Sequence, residues 1–214
     1  MSTSRTVRYA CPYCGKDFEA DIYDMINVEE DPDLRDRCVS GDLFRVSCPH
    51  CKKDFMNQFP LVYIDKPNRF VLWLSKEAPN SSLLQISKPL SEIGYTLRRC
   101  PTLQEFVEKI EILEDGVNDV LVELAKYDCF IEFIDNEKGV PEDVTSIEYQ
   151  HTNNGVMKIN VRADDKGMSF HVPIDMVEEE MEQNPELYEV DNEHFPVING
   201  DWIISLFQET DGYA

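Results

Sequence analysis

The sequence predicts an α+β fold: a zinc-ribbon-like β region and a helical hairpin, followed by an antiparallel β meander with flanking helices. Three observations predict it. Two Cys-Pro-x-Cys pairs, Cys11-Pro12-Tyr13-Cys14 and Cys48-Pro49-His50-Cys51, each sit between short segments of strand character. Residues 103–124 carry apolar side chains at helical spacing. Residues 129–172 carry them at period two, broken by turn signals.

Taken in order, residues 6–10 run into the first Cys pair and residues 16–20 leave it, while residues 43–47 and 52–56 flank the second pair in the same way. Each pair therefore reads as the tip of a β-hairpin. Between them, Asp31 can cap a short helix, Pro32 suits its first position and Gly41 can end it. Strands are expected at residues 61–64 and 69–74, the second rich in β-branched and aromatic side chains. Residues 75–94, with Pro79, Pro89 and several serines, read as a loop-rich connection, and residues 95–99 as a short strand. Thr102 and Glu105 form a capping box ahead of a helix over Leu103–Glu114, whose Leu103, Phe106, Val107, Ile110 and Leu113 share one face. Asp115-Gly116 stops that helix, and Asn118 can cap a second with Val120, Leu121 and Leu124 inward.

From Cys129 the spacing changes. Cys129, Ile131 and Phe133 share one strand face, as do Ile147, Tyr149 and His151, then Met157, Ile159 and Val161, then Met168, Phe170 and Val172. Asn153-Asn154-Gly155 and residues 164–167 are the turn signals between them. Pro173 opens an acidic helix through about Gln183, and a last helix starting at Asp201 is expected to bury Trp202, Ile203, Leu206 and Phe207. The expected division is residues 1–127 and an acidic α+β region at 128–214.

At 214 residues, 42% hydrophobic and 29% charged, the composition suits a folded chain. Residues 111–214 hold 26 Asp/Glu against 5 Lys/Arg, so nearly all of the −22 net charge lies there. Such a surface repels phosphate backbones and anionic headgroups, which argues against nucleic-acid and membrane partners. It serves as a solvated face or as the contact for a basic protein partner. No pattern sets an oligomeric state. The longest apolar run, Phe70–Leu74, is far too short to span a bilayer, and no apolar segment near Met1 resembles a signal peptide, so a cytoplasmic protein is expected. An odd count of seven cysteines, four of them paired, favours metal ligation under reducing conditions over disulfides.

Cys11, Cys14, Cys48 and Cys51 supply the four thiolates that a tetrahedral Zn2+ takes. Pro12 and Pro49 stiffen the turns, Gly15 lets the chain bend sharply after Cys14, and Lys52 holds the corresponding position after Cys51. The 33 residues between Cys14 and Cys48 exceed the usual separation of about 15–20, so the ribbon carries an insertion, which the helix after Asp31 supplies. Four cysteines close the coordination shell, whereas a catalytic zinc keeps one position open. A redox dithiol needs its first Cys at a helix N-terminus, and strand-like residues follow Cys14. His50 reads as an exposed loop residue, His151 as a core-facing one, and His171 and His194 as scattered. Cys38, Cys100 and Cys129 read as small buried hydrophobes. No catalytic residue is assigned. The expectation is a protein-binding or scaffolding module with a structural four-cysteine zinc site. The alternatives are an enzyme whose site is assembled from residues distant in sequence, and a thiol redox protein using Cys-Pro-Tyr-Cys.

The paired Cys-Pro-x-Cys motifs, with residues 108–112 and 116–120 as a helical segment, resemble the CpXC domain family over roughly residues 5–130. The resemblance implies a bacterial or archaeal cytoplasmic protein. It implies that the four cysteines match the family's one for one, and it adds no catalytic residue.

Overall fold

In the computed structural model, residues 1–137, 140–152, 154–164 and 166–211 are described. The chain packs into two compact units: Met1–Ile110 with Asp191–Pro196, and Glu111–Val190 with Val197–Ala214.

The first unit is built on β1 (Thr3–Ala10), β2 (Asp17–Asn27), α1 (Pro32–Val39), β3 (Arg45–Ser47), β4 (Asp54–Met56), β5 (Leu61–Asp65), β6 (Phe70–Leu74), α2 (Ser81–Glu92), β7 (Thr96–Cys100) and the start of α3 (Leu103–Glu114). Strand order in its main sheet is β1-β2-β5-β6-β7, and β3 and β4 form a separate two-stranded hairpin. β6 is buried along its whole length, which explains its unbroken apolar sequence. Tyr63, Phe70, Phe44 and Phe106 are fully buried. Phe106 meets Phe44 and Tyr63 edge-on at centroid distances of 6.2 and 5.8 Å.

β2 is longer than the short strand expected at residues 16–20. Only its far end, Met25–Asn27, pairs with β5, in parallel. The rest of β2 pairs with β1 alone among the described residues. The β1–β2 hairpin is thus an arm reaching out of the sheet, and none of the eight β1 residues is buried.

Two local expectations for this unit are corrected. Residues 81–92, read as loop, form α2. Asn80 Oδ1 accepts the Leu83 N–H at 3.0 Å and caps the helix, a local signal that Pro79 and Pro89 mask in the sequence. Pro89 lies inside the helix on its exposed side. Asp31 precedes α1 without capping it; its carboxylate instead accepts the Ser2 N–H at 3.1 Å. Gly41 ends the segment as expected, at φ 76° with its N–H on the Cys38 carbonyl.

The second unit contains the end of α3, then α4 (Asp119–Glu137), β8 (Val144–Thr152), β9 (Val156–Ala163), β10 (Lys166–Pro173), α5 (Ile174–Gln183) and α6 (Gly200–Asp211). The three strands form the antiparallel meander, in order β10-β9-β8. Of the two turn signals, Asn153 and Asp165 lie outside the described residues.

The capping box before α3 forms as written: Glu105 N–H donates to Thr102 Oγ1 at 3.2 Å, and Thr102 N–H to Glu105 Oε2 at 2.9 Å. Asn118 Oδ1 accepts the Val120 N–H at 3.0 Å and starts α4. The expected strand at Cys129–Phe133 is instead the continuation of α4. Cys129 is 3% and Phe133 2% exposed while Ile131 is 41% exposed, so the buried spacing is four residues, not two. α4 buries Leu121, Leu124, Ala125 and Cys129 in one core with Tyr149, Met157, Ile159 and Val161 of the meander, and Ile203 of α6 joins it. His151 is half-buried, with its Nδ1 3.1 Å from Asp115 Oδ2.

Candidate metal centre

The two Cys-Pro-x-Cys turns have the same backbone. In the first, Gly15 N–H donates to the Cys11 carbonyl at 2.9 Å and Cys11 N–H to the Lys16 carbonyl at 3.0 Å; in the second, Lys52 and Cys48 make the equivalent bonds, to Cys48 and Lys53, at 2.9 and 3.0 Å. Each turn requires a left-handed residue right after its second Cys, and Gly15 (φ 70°) and Lys52 (φ 61°) fill those places. Both turns sit at hairpin tips, β1–β2 and β3–β4, as the sequence predicts.

The tips face each other. Cys11 Sγ lies 3.7 Å from Cys51 Sγ, Cys14 Sγ lies 3.8 Å from Cys48 Sγ, and all four sulfurs lie within 4.8 Å of one another. A disulfide would need about 2.05 Å. A tetrahedral ion about 2.3 Å from each sulfur sets edges of about 3.8 Å. The cluster therefore has the dimensions of a metal site, and all seven cysteines are free thiols.

Backbone amides are aimed at the sulfurs. Burial works against the Cys48 thiolate, but N–H groups of Cys51 and His50 and the neighbouring thiols outweigh it and bring its pKa down to about 6. At Cys14 a Lys16 N–H favours the thiolate, yet desolvation and the three other sulfurs push the pKa up to about 11. Without a cation, four clustered thiols cannot all ionise; a bound cation reverses that. Cys11 and Cys48 are buried and Cys14 is exposed.

Two contacts not anticipated from the sequence tie the tips together. The His50 Nε2–H donates to the Asp17 carbonyl at 3.1 Å, so this exposed histidine turns away from the sulfurs as expected but braces the second tip against the first hairpin. Lys53 Nζ stands 4.9 Å from the centre of the Tyr13 ring. Beneath the sulfurs, Cys11, Phe18, Val46 and Cys48 form a small core edged by Tyr9, Ala20, Cys51 and Phe55. The remaining thiols take no part. Cys38, Cys100 and Cys129 are at most 3% exposed, and burial pushes the Cys38 and Cys129 pKa values up to about 12.

Fold and site together define an α+β protein in which two hairpin tips bring four cysteines close enough to bind one metal ion. The chain belongs to the CpXC family: the family model, described as CpXC protein, matches residues 9–126, which include all four cysteines. No curated protein and no solved structure matches the chain. Among the described residues, no helix is long and apolar enough to cross a membrane.

Proposed function

We propose that Cys11, Cys14, Cys48 and Cys51 hold one structural Zn2+, and that the chain works in the cytoplasm as a protein-binding or scaffolding module. The observation that carries the zinc reading is the pair of 3.7 and 3.8 Å sulfur separations, which fit Zn–S bonds of about 2.3 Å. Four thiolates fill the shell and leave no place for a substrate. The metal acts by joining the tips: the exposed β1 strand and a small core give the arm little folding energy of its own, and ligation supplies it.

The acidic second half is the proposed contact for a basic protein, and nucleic acid is not a partner in this reading. Affinity chromatography from native lysate at low and high salt tests the first part, with capture of basic proteins that salt releases as the expected result. Duplex and single-stranded DNA and RNA at about 0.15 M salt test the second, and salt-sensitive retention there overturns it.

A further inference from the structure

The edge of the five-stranded sheet is covered by chain from far along the sequence. β7 is the terminal strand, joined on one side to β6. On its open side, Leu97 N–H donates to Asn192 Oδ1 at 2.9 Å and Arg99 N–H to the Pro196 carbonyl at 3.1 Å. Asn192 Oδ1 also accepts from Arg98 Nη1 at 2.8 Å. Its Nδ2 donates to the Tyr95 carbonyl and, at 3.4 Å, to Ser91 Oγ. Both oxygen lone pairs and both N–H groups of the amide are used. Asp could not make the two donations, and Gln would displace the amide by a methylene.

Three residues on, Phe195 is 1% exposed. Its ring meets Trp73 edge-on, with centroids 6.5 Å apart, in a cluster with Val71, Leu83 and Leu97. The pocket holds Phe195 at φ 50°, left-handed backbone that a bulky side chain rarely adopts. The segment therefore has the parts of a bound peptide: a polar anchor reading a strand edge, an aromatic anchor in a pocket, and a proline whose carbonyl continues the ladder. Peptides that add to sheet edges are recognised in this way, main-chain bonds giving affinity and pockets giving specificity. The receiving residues fall inside the segment that matches the family, and residues 191–196 fall outside it.

We propose that the groove between β7 and α2 is a receptor for Asn-x-x-Phe-Pro segments, filled in this chain by its own Asn192–Pro196, and that a partner protein presenting such a segment competes for it. This goes beyond the reading above, since it rests on neither the metal nor the excess negative charge of the second half. The tethered segment acts at an effective concentration of about millimolar, so it sets a threshold that a partner must exceed.

The test uses the full chain with Trp202→Phe, which leaves Trp73 as the reporter, and with Asn192→Ala and Phe195→Ala to empty the groove. A synthetic peptide of residues 189–198 is titrated while Trp73 emission is followed. The expected result is saturable binding, at least about 100-fold tighter than to the chain with its own segment intact. A peptide with Asp in place of Asn binds about 10- to 100-fold more weakly, having lost two donors, and one with Ala in place of Phe does not bind. Zinc content stays equal in all variants, so failure of the metal site reads out separately. A folded, emptied chain with no saturable response at about 1 mM peptide overturns the proposal. If the double variant does not fold, Asn192→Asp alone is read by amide exchange at Leu97 and Arg99. Restored protection on adding the peptide supports the receptor, and unrestored exchange rules it out.

Discussion

At the scale of single residues, the two tips differ most where their backbones agree. Gly15 and Lys52 hold the same left-handed conformation, which costs an L side chain about 1–2 kcal/mol. A Cβ added at Gly15 would meet nothing within 4 Å, so Gly15→Ala should lose only that conformational term, about 1–2 kcal/mol in urea unfolding of the metal-loaded protein. Lys52→Gly should gain about 0.5–1 kcal/mol, the relief exceeding the added freedom of the unfolded chain. A loss instead would mean that the Lys52 charge matters more to the thiolates than its backbone does. The four-cysteine cluster, both prolines and Gly15 were legible because the chemistry is local. The His50–Asp17 bond was not, because it joins residues 33 apart that only the folded tips bring together.

At the scale of elements, the proposed metal would act on folding through the β1–β2 arm. Cys14→Ser, or removal of the metal by chelation, should raise amide exchange through residues 3–27 and 45–56 while the β8–β10 meander keeps its protection. Unchanged protection of the arm would show that it folds without metal. The helix that replaced an expected strand gives a second check. Phe133→Ala should cost about 3–5 kcal/mol, a core truncation, while Ile131→Lys should stay within about 0.5 kcal/mol because Ile131 faces solvent. A strand with 129, 131 and 133 on one buried face would make both costly.

Apolar residues at 129, 131 and 133 satisfy period two, but 129 and 133 also satisfy the helical i, i+4 spacing, and burial alone decides between them. The capping box and the three true meander strands were legible for the opposite reason, that each carried its own turn or cap residues. The parallel pairing of β2 with β5 and the closure of β7 by Asn192 depend on contacts distant in sequence and left no local signal.

At the scale of the whole molecule, the excess negative charge is mostly solvated but not free of cost. Burial and then the neighbouring Glu180 raise the Asp128 pKa to about 6. A carboxyl whose folded pKa lies above its unfolded value favours folding when protonated, so that contribution is present below about pH 4 and is lost as pH rises through about 6. Asp128→Asn should therefore raise the melting temperature at pH 7–8, by an amount that solvent screening keeps small, with the gain shrinking to nothing near pH 4. A gain that persisted at pH 4 would place its cause elsewhere. On the proposed protein-binding face, Glu178, Glu179 and Glu180 are exposed on α5. Replacing all three with Gln should slow the association of any captured basic partner and flatten its salt dependence. An unchanged partner set and unchanged rates would leave this helix as a solvated face.

In the proposed centre, four sulfurs from two hairpin tips close around one zinc ion. The most direct measurement is zinc-edge X-ray absorption, with elemental analysis, on protein purified without added metal. The expected result is about one zinc per chain with four sulfur neighbours at about 2.3 Å, and loss of the ion in Cys11→Ser and Cys48→Ser. A well-folded chain with no bound metal and four titratable thiols at these positions would contradict it.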